Sequence, residues 1–189
     1  PNERDRVTAG AAAGSALART LLESLSLGVR RQCVYVLAGY DTSLGETPGL
    51  TKLWGIVRDM GATKRFRPTG LAVEMLNQAI RGDLHGVRDA ETHSGQDLTV
   101  GTFRTTAGWS AALVSASPFT RVVTLHFPPS SAALPRRALR LDTSDPEATN
   151  EEREEVRVFE ENLTPKETTV SVTLPPWGLV VLLPPTKQL

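Results

Sequence analysis

Cysteine is nearly absent from this 189-residue chain: Cys33 is the only one. A single thiol excludes a disulfide framework and a cysteine metal cluster, and says nothing about redox compartment. Net charge is absent as well, with 21 basic residues against 21 acidic ones. A neutral balance removes the electrostatic footprint expected of a nucleic-acid-binding surface. No apolar run approaches the roughly 18–20 residues that a membrane-crossing helix needs. Aromatic residues make up only 5%. No phosphate-cradling glycine loop ending in Gly-Lys occurs, and Gly14-Ser15-Ala16 lies in a helical pattern rather than in a Gly-x-Ser-x-Gly elbow. His85, His93 and His126 are not spaced as metal ligands, so neither metal nor cofactor is expected. The chain starts at Pro1 with no charged-then-apolar leader after it.

The 40% of apolar residues suffice for one domain or two small ones. They are distributed in two styles that change near residue 83. In the first part, Ala18, Leu21, Leu22 and Leu25 lie on one face of a helix predicted over Ala11 to Ser26, with Thr8 as N-cap and Gly28 as terminator. Ala72, Met75, Leu76, Ala79 and Ile80 match the helical template at every position, behind Pro68 in the first turn. Between the two helices, Cys33 to Ala38 is apolar almost throughout, the pattern of a strand buried on both faces in a parallel sheet. A polar loop follows, from Tyr40-Asp41-Thr42-Ser43 through Gly45, Pro48 and Gly49.

The second part reads as antiparallel β-structure. Val123, Leu125 and Phe127 alternate with Thr124 and His126, Val170, Val172 and Leu174 with Ser171 and Thr173, and Leu139 and Leu141 flank Arg140. Thr99 to Arg104, Ser110 to Ser115 and Leu179 to Leu183 are further candidates, and about six short strands separated by turn residues indicate a β-sandwich. The segment from Asp145 to Asn162 is dense in Glu and reads as a solvated face. Two readings stay open there: a short helix capped by Asn150, or a strand starting at Val156-Arg157-Val158. Asn162-Leu163-Thr164 is an N-glycosylation sequon.

One and a half βα units cannot close a sheet. The strand at Cys33 would need partners supplied upstream of Pro1 or by another chain. Leu53-Trp54-Gly55-Ile56-Val57-Arg58-Asp59-Met60-Gly61, with Lys64 and Pro68 beyond it, resembles the end of a glycoside hydrolase (β/α)8 barrel. Leu174-Pro175-Pro176-Trp177-Gly178-Leu179-Val180-Val181-Leu182 resembles the close of the C-terminal β-sandwich in the same enzymes. The resemblance is to clan A glycosidases of the β-xylosidase, α-L-iduronidase and α-L-arabinofuranosidase branches. It departs from them at Lys64-Arg65-Phe66-Arg67-Pro68, which is longer than their Lys-Pro.

The resemblance implies a fold of α/β plus all-β type: residues 1–82 as the last units of a TIM barrel (helix 7, strand 8, helix 8) and residues 83–189 as an antiparallel β-sandwich. It implies hydrolysis of glycosidic bonds, with the two catalytic carboxylates on upstream strands and the rest of the barrel and a carbohydrate substrate as partners. Glu3 is the only acid near the place of the nucleophile, and no apolar strand precedes it. Barrel active sites lie at the C-terminal ends of strands, which makes Tyr40, Asp41 and Thr42 the candidates for sugar contact, an aromatic platform beside groups for hydroxyls. Turn chemistry alone also accounts for them. Trp109 and Trp177 either seal a core or, if exposed, bind carbohydrate as part of a non-catalytic module. A purely structural subunit would instead show an apolar surface around Val34 and Val36.

Overall fold

The computed structural model describes residues 9–34, 37, 55–57, 65–92, 95–129, 132–142, 145–151 and 153–185. Among the described residues two helices, α1 (Ala11–Ser26) and α2 (Pro68–Ala79), precede eight strands. These are β1 (Asp83–Thr92), β2 (Gly95–Thr105), β3 (Gly108–Ser115), β4 (Arg121–His126), β5 (Arg137–Asp142), β6 (Arg157–Asn162), β7 (Thr169–Leu174) and β8 (Leu179–Leu183).

Six strands form one sheet in the order β1-β2-β3-β8-β5-β6, and β4 pairs with β7 in a second. Every named pairing is antiparallel. The six-stranded sheet is the middle layer. Ala112, Val114, Leu179, Val181 and Leu183 meet α1 and α2 on one side, around Leu22, Met75 and Leu141. Ala111, Leu113, Val180 and Leu182 meet Val170, Val172 and Leu174 of β7 on the other. This explains why β3 and β8 are buried at every position although their neighbours are antiparallel. Alternation is lost where both faces of a strand are covered. On β4 one face alone is covered, and its residues alternate between half-buried and exposed, with His126 outward.

The expected β-sandwich is present, with eight strands among the described residues where about six were expected. β1 escaped the sequence reading because Asp-Leu-His-Gly-Val-Arg-Asp-Ala-Glu-Thr has no period-two pattern. It is an edge strand, paired only with β2 and shifted in register twice. Polar side chains on an edge discourage pairing with other chains. The Glu-rich alternative resolves as strand β6, the opposite edge.

Both helices occupy their expected ranges. α1 ends as anticipated: Gly28 takes φ +85°, and the Val29 amide donates to Ser24 O at 3.1 Å. Thr8 lies outside the described residues, and the N-cap is Gly10, with no side-chain cap. The first-turn amides of α1 are satisfied from a distance: Ala11 N–H donates to Ala148 O (3.0 Å) and Ala12 N–H to Pro146 O (2.9 Å). The helices run side by side in one direction. Gly14 meets Pro68 near their starts, and Leu22 and Leu25 share a cleft with Leu76 and Ile80 near their ends.

The expected strand over Cys33 to Ala38 is not formed in its described part. Cys33 is exposed, Cys33 and Val34 are in no strand, and Leu37 is 52% exposed. An apolar run by itself fixes no ladder. Here Leu37 O accepts one bond, from Val57 N–H at 2.9 Å. Barrel strands are not seen, and no named parallel pair occurs among the described residues.

Candidate functional site

Glu3, Tyr40, Asp41, Thr42, Glu46, Trp54 and His93 lie outside the described residues. The structure does describe where the segment carrying Tyr40, Asp41 and Thr42 begins and ends. Val57 bonds back to Leu37 and forms an isolated antiparallel bridge with Phe66, and Arg67 N–H donates to Ile56 O at 2.9 Å. Residues 55–57 therefore lie against the turn that enters α2. Gly70 makes this approach possible, since a Cβ there would stand 2.4 Å from Ile56 O.

A polar cluster closes over this junction. Arg67 is 1% exposed. Its Nε donates to Glu151 Oε1 at 2.6 Å and its Nη2 to Glu151 Oε2 at 3.2 Å, a two-pronged pair that suits the guanidinium fork. Its Nη1 donates to Gly55 O at 2.8 Å. The neighbouring Asn150, also 1% exposed, uses both ends of its amide. Nδ2 donates to Phe66 O (3.0 Å) and Val156 O (2.9 Å), and Oδ1 accepts from Glu155 N–H (3.0 Å) and Val156 N–H (2.9 Å). Sequence reasoning missed this cluster. Glu151 is not part of a solvated face: its side chain is 14% exposed. Asn150 does cap, but the amides it serves lead into β6 and not into a helix. The available signal was Arg67 at the position before Pro68, where a capping Ser or Asp would be expected. Removing one partner of such a buried pair costs about 3–5 kcal/mol.

A second, half-buried carboxylate, Asp97, meets both terminal nitrogens of Arg121, and Arg121 Nη2 also donates to Ser117 Oγ at 2.8 Å. Glu151 and Asp97 are thus each committed to an arginine, as carboxylates that hold structure are. Among the described residues no group of three or more His, Cys, Asp or Glu is placed to hold a metal ion. Among the described residues no helix is long and apolar enough to cross a membrane.

Beside the C-terminal halves of the two helices lies a cleft of about 150 Å³. Leu21, Leu25, Val34, Val73 and Ile80 give it apolar walls, and Gln32 closes one end by donating to Leu21 O at 2.9 Å. The cleft is continuous with the core on the sheet side: Leu22 and Leu76 belong to that core, and Leu21, Leu25 and Ile80 pack against it. Of the tryptophans, Trp109 is 2% exposed and tilted against Phe127 at 5.8 Å between centroids, so it seals the core between the two sheets. Trp177 is half-buried, at φ +49° in the turn closed by Gly178 N–H to Pro175 O.

No protein-family model and no curated protein matches the sequence. Solved structures do match. A family 51 α-L-arabinofuranosidase from Bifidobacterium longum aligns with 92% of this chain at 15% identity and a TM-score of 0.63, over 34% of its own length. An α-L-arabinofuranosidase from Thermotoga maritima, solved with arabinose, aligns with 89% at 15% identity and a TM-score of 0.61, over 37% of its length. A family 30 subfamily 8 xylanase from Clostridium acetobutylicum aligns with 92% at 7% identity and a TM-score of 0.56, over 39% of its length. The chain thus spans between a third and two-fifths of these clan A glycoside hydrolases, and the likeness is one of fold. It extends over the helix pair as well as the sandwich, since the sandwich alone could not supply nine-tenths of the chain.

Proposed function

We propose that this chain is the C-terminal portion of a glycoside hydrolase. Residues 1–82 would supply the last units of the barrel and residues 83–189 the sandwich that braces it. The observation that carries the reading is the fold likeness to arabinofuranosidases and a xylanase over about nine-tenths of the chain. The cleft beside α1 and α2 supports it, because the half-buried Leu21, Leu25, Val73 and Ile80 leave apolar surface there for a further layer to cover. The occupant of that side, in this reading, is the strand ring of the barrel.

The catalytic acid/base and nucleophile are then carboxylates of the remaining barrel strands, about 5–5.5 Å apart if the enzyme retains configuration. One would protonate the departing glycosidic oxygen while the other attacks the anomeric carbon. Tyr40, Asp41 and Thr42 are the residues assigned to the sugar, the ring of Tyr40 against its apolar face and Asp41 and Thr42 toward hydroxyls. Glu3 is left as a loop acid. A free carbohydrate-binding module has less support: its aromatic face would need Trp109 or Trp177 exposed, and Trp109 is buried between the sheets while Trp177 is half-buried.

The test is the native protein, purified without denaturation, weighed intact and assayed on aryl arabinofuranosides, aryl xylosides and xylan. The expected result is a mass above 20.4 kDa, from a longer chain or a tight partner, together with hydrolysis of one of these substrates. In that protein Asp41→Asn is expected to lower kcat/KM at least tenfold. A monomer of 20.4 kDa without hydrolytic activity overturns the reading.

A further inference from the structure

We propose that Arg67, Glu151 and Asn150 form a positioning latch, through which the loop between β5 and β6 sets the path of the backbone entering α2. Four observations converge on this.

The first is the choice of residue. Arg67 occupies the N-cap of α2, yet the helix has no side-chain cap there. An N-cap normally satisfies the helix's own amides with a short polar side chain. The arginine instead reaches across 84 residues of sequence to Glu151 and back to the carbonyl of Gly55.

The second is saturation. Asn150 holds Phe66 O on one side and the Glu155 and Val156 backbone on the other, so a single side chain ties the two segments together. An amide filled at both ends has one orientation, which makes the junction directional where an apolar contact would not be.

The third is that the same loop also holds α1. Pro146 O and Ala148 O accept the first free amides of that helix. The loop therefore fixes the starts of both helices relative to β5 and β6, from one place on the sandwich.

The fourth is tightness. Ile56 O already touches the position of Gly70, so residues 55–57 cannot shift without moving the first turn of α2. Stability alone does not explain the arrangement, because well-packed apolar residues commonly replace a buried ion pair without loss. Direction is what such a replacement removes.

That the junction also shapes a sugar cleft rests on the function proposed above; the latch itself does not. Native-state hydrogen exchange on the full chain tests it, with the amides of Val57 and Arg67, bonded to Leu37 O and Ile56 O, as local probes. Amides of Ala112 and Val181 in the central strands serve as the global reference. In the apolar pair Arg67→Met with Glu151→Leu, which keeps the global stability, the two local probes are expected to exchange at least tenfold faster while the reference changes less than twofold. In Glu151→Ala, which lowers the global stability as well, the local probes are expected to accelerate at least tenfold more than the reference. Glu151→Gln, whose amide oxygen keeps one hydrogen bond to the guanidinium, is expected to restore part of the protection. If Glu151→Ala does not fold, the apolar pair carries the comparison. Unchanged local probes, or acceleration of probes and reference by the same factor, overturns the latch. An inactive native protein would refute the glycosidase reading and leave these exchange rates unaffected.

Discussion

Alanine substitution at two adjacent positions of α1 is expected to move stability in opposite directions. At Gly14 the new Cβ would lie 2.7 Å from Pro68 O and 2.9 Å from Pro68 C, with Leu141 Cδ2 at 3.4 Å. Alanine is favoured over glycine inside a helix by roughly 0.8–1.0 kcal/mol. Against this stands the overlap with backbone atoms of α2, which cannot rotate away as a side chain would. Overpacking of a filled interior costs about 1–3 kcal/mol, and a clash against backbone belongs at the upper end. The balance is a loss of about 1–2 kcal/mol. At Ser15 the situation is reversed. Its hydroxyl is buried with no hydrogen-bond partner among the described residues. An unmet buried polar group costs about 1–3 kcal/mol, and alanine adds a few tenths in helix propensity, so Ser15→Ala is expected to gain about 1 kcal/mol. In a chain of this size each kcal/mol shifts Tm by roughly 2–4 °C. Urea denaturation read by circular dichroism should show the midpoints moving apart at unchanged slope. A Gly14→Ala variant more stable than the parent would refute the close crossing of α1 and α2. A Ser15→Ala variant destabilised by more than about 1 kcal/mol would mean that the hydroxyl is bonded after all.

Three further outcomes follow from single contacts. Ser110 Oγ donates to Ala79 O at 2.6 Å, ending α2 from the sheet, so Ser110→Ala should cost about 1–3 kcal/mol by the same denaturation assay. Glu167 stands at φ +51° in the two-residue turn between Lys166 and Thr169, and Glu167→Gly should raise the melting temperature through a gain of about 0.5–1 kcal/mol. Trp109→Ala should remove about 3–5 kcal/mol and collapse the near-ultraviolet circular dichroism of the core between the two sheets.

The elements legible in the sequence were those whose burial has a period. α2 was readable because Ala72, Met75, Leu76 and Ala79 all face the core. β8 was readable to the residue, Leu179–Leu183, because both of its faces are covered. β1 was not, because an edge strand is paid for by backbone hydrogen bonds to one neighbour, and those leave no mark on side-chain chemistry. The run at Cys33 shows the converse. Its apolar character is real, but Val34 spends it on the wall of a cleft and Cys33 on solvent. The latch was illegible for a third reason. Asn150 acts entirely on backbone groups of residues 66, 155 and 156, and Glu151 is one of several glutamates that differ only in what folding brings near them.

The division of residue size on the helices bears on what surrounds them. Where α1 and α2 meet the sheet and each other they present Ala11, Gly14, Ala18, Gly70, Ala72 and Ala79, small residues that let backbones approach. Along the cleft they present Leu21, Leu25, Val73 and Ile80. Leu22, Met75 and Leu76 fill the space that these small residues leave toward the sheet. Leu21, Leu25 and Ile80 pack against the same core and also line the cleft, with Val73 beside them, so each is half-buried and already contributes inward. A further layer over the cleft would add only for the apolar area these side chains still expose, roughly 25 cal/mol per Å².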